Sequence, residues 1–296
     1  MHSYLKSVGF SKIETKEQEE KLLAEIIRYA NRKSMISVSQ ENDRQYVEFS
    51  CDVAQGIGVT IRGQMDEDDK LHVDHYFPYL IPRNVTSQED LYISKKSDND
   101  SYGALCEDFR VGVSLIFHVQ NAVDYLRAVR NPSPDTPLNY PVKLSALALE
   151  GTILFPTKKT AEDVKQFNDE TKKYARMIAD AKKGNQEAIE HLTIKEYDTF
   201  SSVNNRVKNE DVFSIVDTSF APYGMESEVY RILGIIMSLE ERVNSFTDEK
   251  MYVMEVYCNH IVFDLCVNES DLLGVPEKGR RFRGIVWLQG RVEFDA

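Results

Sequence analysis

Phe282-Arg283-Gly284-Ile285-Val286-Trp287-Leu288-Gln289-Gly290-Arg291-Val292-Glu293-Phe294 alternates along its length with the two-residue period of a β-strand. Phe282, Gly284, Val286, Leu288, Gly290, Val292 and Phe294 therefore share one face, and Arg283, Ile285, Trp287, Gln289 and Arg291 share the other. The first set is a core face. The second places the only tryptophan of the chain between arginines, with Lys278, Arg280 and Arg281 just upstream. A ring flanked by cations on a barrel strand suits an anionic ligand or a stacked base. The same face also suits packing against helices of the chain or a second subunit, with its arginines paired to nearby acids. Arg281, Arg283, Trp287, Gln289 and Arg291 are accordingly the candidate ligand- or partner-binding residues.

Working back from this strand, Val229 to Leu239 reads as a long apolar strand interrupted by Gly234. Met251 to Cys258 and Ile261 to Val267 form two more around a tight Asn259-His260 turn, and Asn268 to Gly279 is turn-rich. A glycine inside a long strand permits the coil that a small barrel needs. Residues 209–296 are therefore expected to form a small OB-like β-barrel, with a sandwich or curled sheet as the alternative. The expectation is that this segment closes on itself and leaves its tryptophan side free.

Upstream, residues 158–208 read as a helical connector. Val164, Phe167, Tyr174 and Ile178 mark one helix face, Gly184 is placed to stop that helix, and Asn185 to cap a second. Residues 1–157 read as an α+β domain. Thr15-Lys16-Glu17-Gln18 is a capping box, and Leu22, Leu23, Ile26, Ile27 and Ala30 recur at helical spacing to Ala30. Strands are expected over Tyr46 to Val53, Ile57 to Met65 and Leu71 to Leu80, with Asp66 to Asp69 as the turn of an antiparallel hairpin. Val111 to Val119 alternates as a further strand, a short helix runs from Ala122 to Arg130, four prolines make Asn131 to Pro141 a loop, and Leu144 to Phe155 is a last strand. Strands followed by helices, without strict β-α-β alternation, give an α+β class: an N-terminal antiparallel sheet with helices, the connector, and the C-terminal barrel.

The chain has 296 residues and a formal net charge of −12. That balance argues for solubility and against nucleic acid or an anionic membrane surface, both of which need cations that displace counterions. Residues 212–296 carry eight basic against fourteen acidic side chains, which extends the argument to the barrel. Cys51, Cys106, Cys258 and Cys266 form no C-x-x-C pair and read as reduced, mostly buried thiols. Met1 to Lys6 lacks the apolar stretch of a signal peptide, and no run approaches a membrane span, which points to the cytoplasm.

Motifs that carry chemistry are few. Gly56-Ile57-Gly58 begins like a dinucleotide fingerprint, but a strand follows where the pyrophosphate needs a helix. His72 and Asp74 share a strand face, His75 points opposite, and His118 is their most interesting partner. Asp66 to Asp69 and Asp98-Asn99-Asp100 lack the glycine and glutamate placement of a calcium loop. There is no G-x-S-x-G elbow. No catalytic residue, metal ligand or cofactor is assigned.

Asn209-Glu210-Asp211-Val212-Phe213-Ser214-Ile215-Val216-Asp217, Pro222-Tyr223-Gly224 and Gly279-Arg280-Arg281-Phe282-Arg283-Gly284-Ile285-Val286-Trp287-Leu288-Gln289-Gly290 resemble a family of uncharacterised proteins from clostridial Firmicutes. The opening Tyr4-Leu5-Lys6-Ser7-Val8-Gly9-Phe10-Ser11-Lys12 is similar to that family's start. The resemblance implies a bacterial cytoplasmic protein with a domain of unknown function, and it transfers no activity or site. The reading that follows is a non-enzymatic binding module for a protein or a small anionic ligand, with a homo-oligomer open. The alternatives are a hydrolase with an interdomain cleft and a single-strand nucleic-acid binder.

Overall fold

A computed structural model describes residues 2–37, 45–66, 68, 70–96, 101–108, 110–130, 140–157, 173, 176–178, 180–181, 183–194, 216–225 and 227–294. The first sheet is an antiparallel meander of β1 (Arg32–Ser37), β2 (Gln45–Ala54), β3 (Ile57–Met65) and β4 (Leu71–Leu80). Three of these strands fall where the alternation puts them. β1, with Arg32, Lys33 and Ser34 at its start, carries too little apolar pattern to be read. Ahead of the sheet, α1 (Lys16–Arg28) opens with the expected capping box and buries Leu22 and Ile26.

The remaining strands are β5 (Leu91–Lys95), β6 (Tyr102–Cys106), β7 (Leu115–Val119), β8 (Val142–Leu154), β9 (Ser219–Pro222), β10 (Val229–Val243), β11 (Lys250–Cys258), β12 (Ile261–Asn268), β13 (Leu272–Leu273) and β14 (Arg281–Val292). α2 (Ala122–Arg130) lies between β7 and β8, as its sequence suggests. β7 is shorter than expected because Gly112, at φ 77°, turns the chain before Leu115. Asn259 and His260 both take positive φ, 44° and 67°, as the tight β11–β12 hairpin requires.

β8, β12, β11, β10 and β14 close into a five-stranded barrel, so the fold is α+β with a small barrel. The closure corrects the sequence reading in one respect. β10, β11 and β12 form a meander and β14 pairs with β10, but the gap between β12 and β14 is filled by β8, from the amino-terminal half. β8 runs parallel to β12 and antiparallel to β14. Without it, both neighbours would present bare backbone edges. Part of the expected connector lies outside the described residues; within the rest, Asn185 caps a helix over 186–194 by accepting from the Ala188 amide.

Two apolar cores result. One fills the barrel, with Leu144, Ala146, Ile236, Met254, Val256, Phe282, Val286 and Leu288. The other lies between the barrel's outer wall and the first sheet, where Leu147, Met251, Val253, Cys266 and Trp287 meet Val59, Ile61, Phe77 and Tyr79. A 3₁₀ turn (Ser3–Val8) closes this second core with Tyr4, Leu5 and Val8. Two glycines in the barrel strands are set by close approach. A Cβ at Gly234 would sit 2.3 Å from the Val256 side chain, and one at Gly290 would sit 2.3 Å from the Phe117 ring.

A fragment of residues 209–296 lacks β8 and is expected to show no cooperative thermal transition and poorly dispersed amide resonances. A fragment that melts cooperatively with a resolved amide spectrum would contradict this account of the closure.

Candidate functional site

The polar face of β14 is divided by what covers it. Arg283 is exposed, and lines a shallow groove of about 500 Å³ on the barrel wall with Glu150, Arg231 and Asp271. Arg281 is buried; its Nε donates to the Phe155 carbonyl and its Nη1 to the Val216 carbonyl, and burial pulls its pKa down. Trp287 is only 7 % exposed. Its Nε1 donates to Glu228 Oε2 at 2.8 Å, and its ring packs against His2, Tyr4 and His118. The expectation of a free tryptophan is therefore overturned: the first sheet and the 3₁₀ turn lie over it. Gln289 is fully buried, and Arg291 emerges at the far end beside Asp124.

Buried polar groups at this level tie the two sheets together. Gln289 Nε2 donates to the Pro78 carbonyl at 2.7 Å, and Gln289 Oε1 accepts from Gln120 Nε2 at 2.9 Å. Gln120 Nε2 also reaches the Leu80 carbonyl, which accepts from Ser145 Oγ as well. Arg62, on β3, is 0 % exposed. Its Nε donates to Glu48 Oε1 at 2.5 Å, while its Nη2 donates to the Val119 and Gln120 carbonyls at 3.0 and 2.7 Å. Its guanidinium also stacks on Phe77, 4.5 Å from the ring centroid. Burial raises the Glu48 pKa, and Arg62 opposes that rise.

Beyond this network the sheets part into a cleft of about 80 Å³. Its walls come from three places. Arg32, Ser34, Glu48, Ser50, Thr60 and Tyr79 project from the first sheet, Gln120, Asn121 and Asp124 from the start of α2, and Arg291 from β14. Several of these side chains are fixed by bonds of their own. Arg32 Nη2 donates to Asp52 Oδ1 at 2.8 Å and to the Tyr79 hydroxyl at 2.6 Å. Ser50 and Thr60 hydroxyls lie 2.8 Å apart, and Asn121 Nδ2 holds the Asp124 carboxylate at 3.1 Å. Arg32 Nε is buried with no hydrogen-bond partner among the described residues. Of the five candidates from β14, Arg291 alone lines this cleft. Arg32, Ser34, Ser50 and Thr60 escape sequence reasoning because they look like the ordinary polar positions of half-buried strands.

The histidines singled out in the sequence do not form one centre. His72 pairs with Asp66 on the exposed hairpin, Asp74 is exposed, and His118 is 3 % exposed against Phe77 and Trp287. No group of three or more metal-ligating side chains is found among the described residues. All four cysteines are buried thiols, and burial pushes Cys106 up to about 11 and Cys258 and Cys266 up to about 12. No described helix is long and apolar enough to cross a membrane.

A family model described as a domain of unknown function, DUF3881, with E. rectale in its description, matches residues 5–290. The chain belongs to the DUF3881 family. The clostridial resemblance seen in the sequence is thereby shown, and the matched span takes in the covered tryptophan and every described residue of the cleft lining except Arg291. No curated protein matches the chain, and no solved structure does.

His118 gives the inter-sheet core of this DUF3881 chain a pH signature. Burial, reinforced by nearby cationic groups, holds its pKa well below 6.5, and burial lowers His2 to about 4. Between the unfolded value and these folded values the unfolded chain binds protons that the native one does not. Stability therefore falls as pH drops below about 6.5, with a limiting slope of ~1.4 kcal/mol per pH unit for each such group. Urea titrations between pH 7 and pH 5 should show His118→Phe reducing this slope relative to the unchanged protein. Equal slopes would show that His118 is not held neutral.

Proposed function

We propose that this protein is a non-enzymatic binding module, and that its ligand is a small molecule seated in the cleft between the first sheet and the barrel. The observation that carries the reading is the cleft itself: a polar hollow of about 80 Å³ whose lining comes from two sheets and a helix. Several lining side chains are oriented by bonds to groups outside the hollow, so little ordering is left to occur on binding. Ligand sites favour such junctions between packed layers, with a few fixed polar groups setting the orientation.

Among the described residues the cleft lining holds no histidine or cysteine, which supports a binding role over a hydrolytic one. The lining hydroxyls of Ser50 and Thr60 bond to each other, and the Glu48 carboxylate beside them is taken up by Arg62. Burial of Trp287 also weighs against single-strand nucleic acid, since a base needs an accessible ring face on which to stack. An interior location in a bacterial cell is part of the same proposal, resting on acidity and on reduced, buried thiols.

A thermal-shift panel of small anions, zwitterions, neutral polar compounds and cations tests the reading. At least one class should raise the midpoint of the unchanged protein by several degrees, because a ligand that binds only the native state stabilises it by mass action. Ser34→Tyr, which fills the hollow from the edge strand, should abolish that shift. No shift from any class, or a shift that survives Ser34→Tyr, would refute the cleft as the binding site.

A further inference from the structure

The charges around the cleft specify its occupant more narrowly. Arg62 and Glu48 form a closed, buried pair at 2.5 Å, and Arg32 and Asp52 a closed but partly exposed one at 2.8 Å. Asp124 is shared. Arg127 Nη1 stands 3.4 Å from its Oδ1, and Arg291 Nη2 stands 3.7 Å from its Oδ2. Charge-assisted bonds between guanidinium and carboxylate usually run about 2.7–2.9 Å, so neither contact to Asp124 is closed. Among the described residues, four guanidinium groups around the cleft thus stand against three carboxylates; the hollow's own lining holds two of each, and Arg127 just outside it brings the one positive charge left over in a chain whose net charge is −12. Arg291 makes no side-chain hydrogen bond among the described residues, and its side chain is 41 % exposed, so its planar fork of donors is open toward the hollow.

We infer that the cleft binds a small monoanion with an oxyanion group, a monocarboxylate above all, gripped by the guanidinium of Arg291. The inference rests on the cleft being the binding site proposed above. Arg291 offers two parallel N–H donors to the anion, a geometry that matches a carboxylate better than a point charge would. Across the hollow, the Ser34 hydroxyl and whichever hydroxyl of the Ser50–Thr60 pair accepts within that pair supply further donors. The amino-terminal end of α2 forms the third wall through Asn121 and Asp124, and its dipole adds partial positive charge. Asp124 shapes the selectivity. A dianion would meet its carboxylate with only one surplus positive charge to offset two negative ones, whereas a monoanion neutralises the site.

Isothermal titration and thermal shift at fixed ionic strength and at about pH 8, where inorganic phosphate is mostly dianion, with acetate, inorganic phosphate, glycine and methylammonium as probes, test this inference. Acetate is expected to bind more tightly than phosphate, glycine or methylammonium, with affinity lowered about tenfold or more in Arg291→Gln. The unliganded midpoint of Arg291→Gln should stay close to that of the unchanged protein, because the contact it removes is already open. Ser34→Tyr should also abolish acetate binding. Phosphate binding more tightly than acetate, or acetate affinity unchanged in Arg291→Gln, would overturn the monoanion assignment. Glycine or a neutral compound binding in a Ser34→Tyr-sensitive way while acetate does not would overturn it too, yet leave the cleft standing as a binding site. Silence from every probe and from the wider panel would remove both.

Discussion

The architecture depends on Arg62. A guanidinium with no exposure lies on a strand of the first sheet, and its donors go to Glu48 on the neighbouring strand and to two main-chain carbonyls at the end of β7. A buried ion pair is not by itself a strong source of stability, because desolvation offsets much of the Coulomb gain. Its effect here is directional. The carbonyls of Val119 and Gln120 lie at the β7 end of the second sheet, so Nη2 finds its acceptors only when the two sheets meet in one register, while Nη1 has no hydrogen-bond partner among the described residues. Gln289, Gln120 and Ser145 repeat the constraint with the Pro78 and Leu80 carbonyls. Apolar contact between the sheets tolerates sliding, but these bonds do not.

That registration creates the cleft. The sheets are pinned along the line from Pro78 to Gln120, and they diverge beyond it toward Ser34 and Arg291. The hollow is polar because the pinning network is polar and ends there. Glu48 belongs to both, since it pairs with Arg62 inside the network and forms part of the cleft wall. Electrostatics at the opening are thus coupled to the interior: the Glu48 carboxyl also feels Asp124 and Arg291.

Much of the fold is legible in the sequence where one face of a strand meets apolar core and the other meets water. β2, β10 and β11 are of this kind, and the Thr15 capping box fixes the start of α1. The pattern fails where tertiary pairing decides. Nothing in Val142–Leu154 announces that it will close a barrel more than sixty residues away in the chain, because a strand buried on both faces reads the same in any sheet. Trp287 and Gln289 show the same limit. Their alternation is correct, but alternation names a face and not what covers it; here the cover is the first sheet and the turn at Tyr4. Arg291 was found by its neighbourhood to tryptophan, while Arg32 and the cleft hydroxyls carry no local signal at all. Membership of DUF3881 adds kinship over residues 5–290 and no chemistry. The functional reading therefore rests on the geometry of the cleft.

The claim that a buried arginine registers the two sheets is tested most directly by urea unfolding of Arg62→Leu, followed by the fluorescence of Trp287, which reports from the same interface. Removing the group leaves two carbonyls and Glu48 without their donor, so the account predicts a loss of roughly 3 kcal/mol or more and a red shift of native emission as the sheets loosen over the ring. A loss of less than about 1 kcal/mol with unchanged emission, within the range of ordinary surface substitutions, would contradict it.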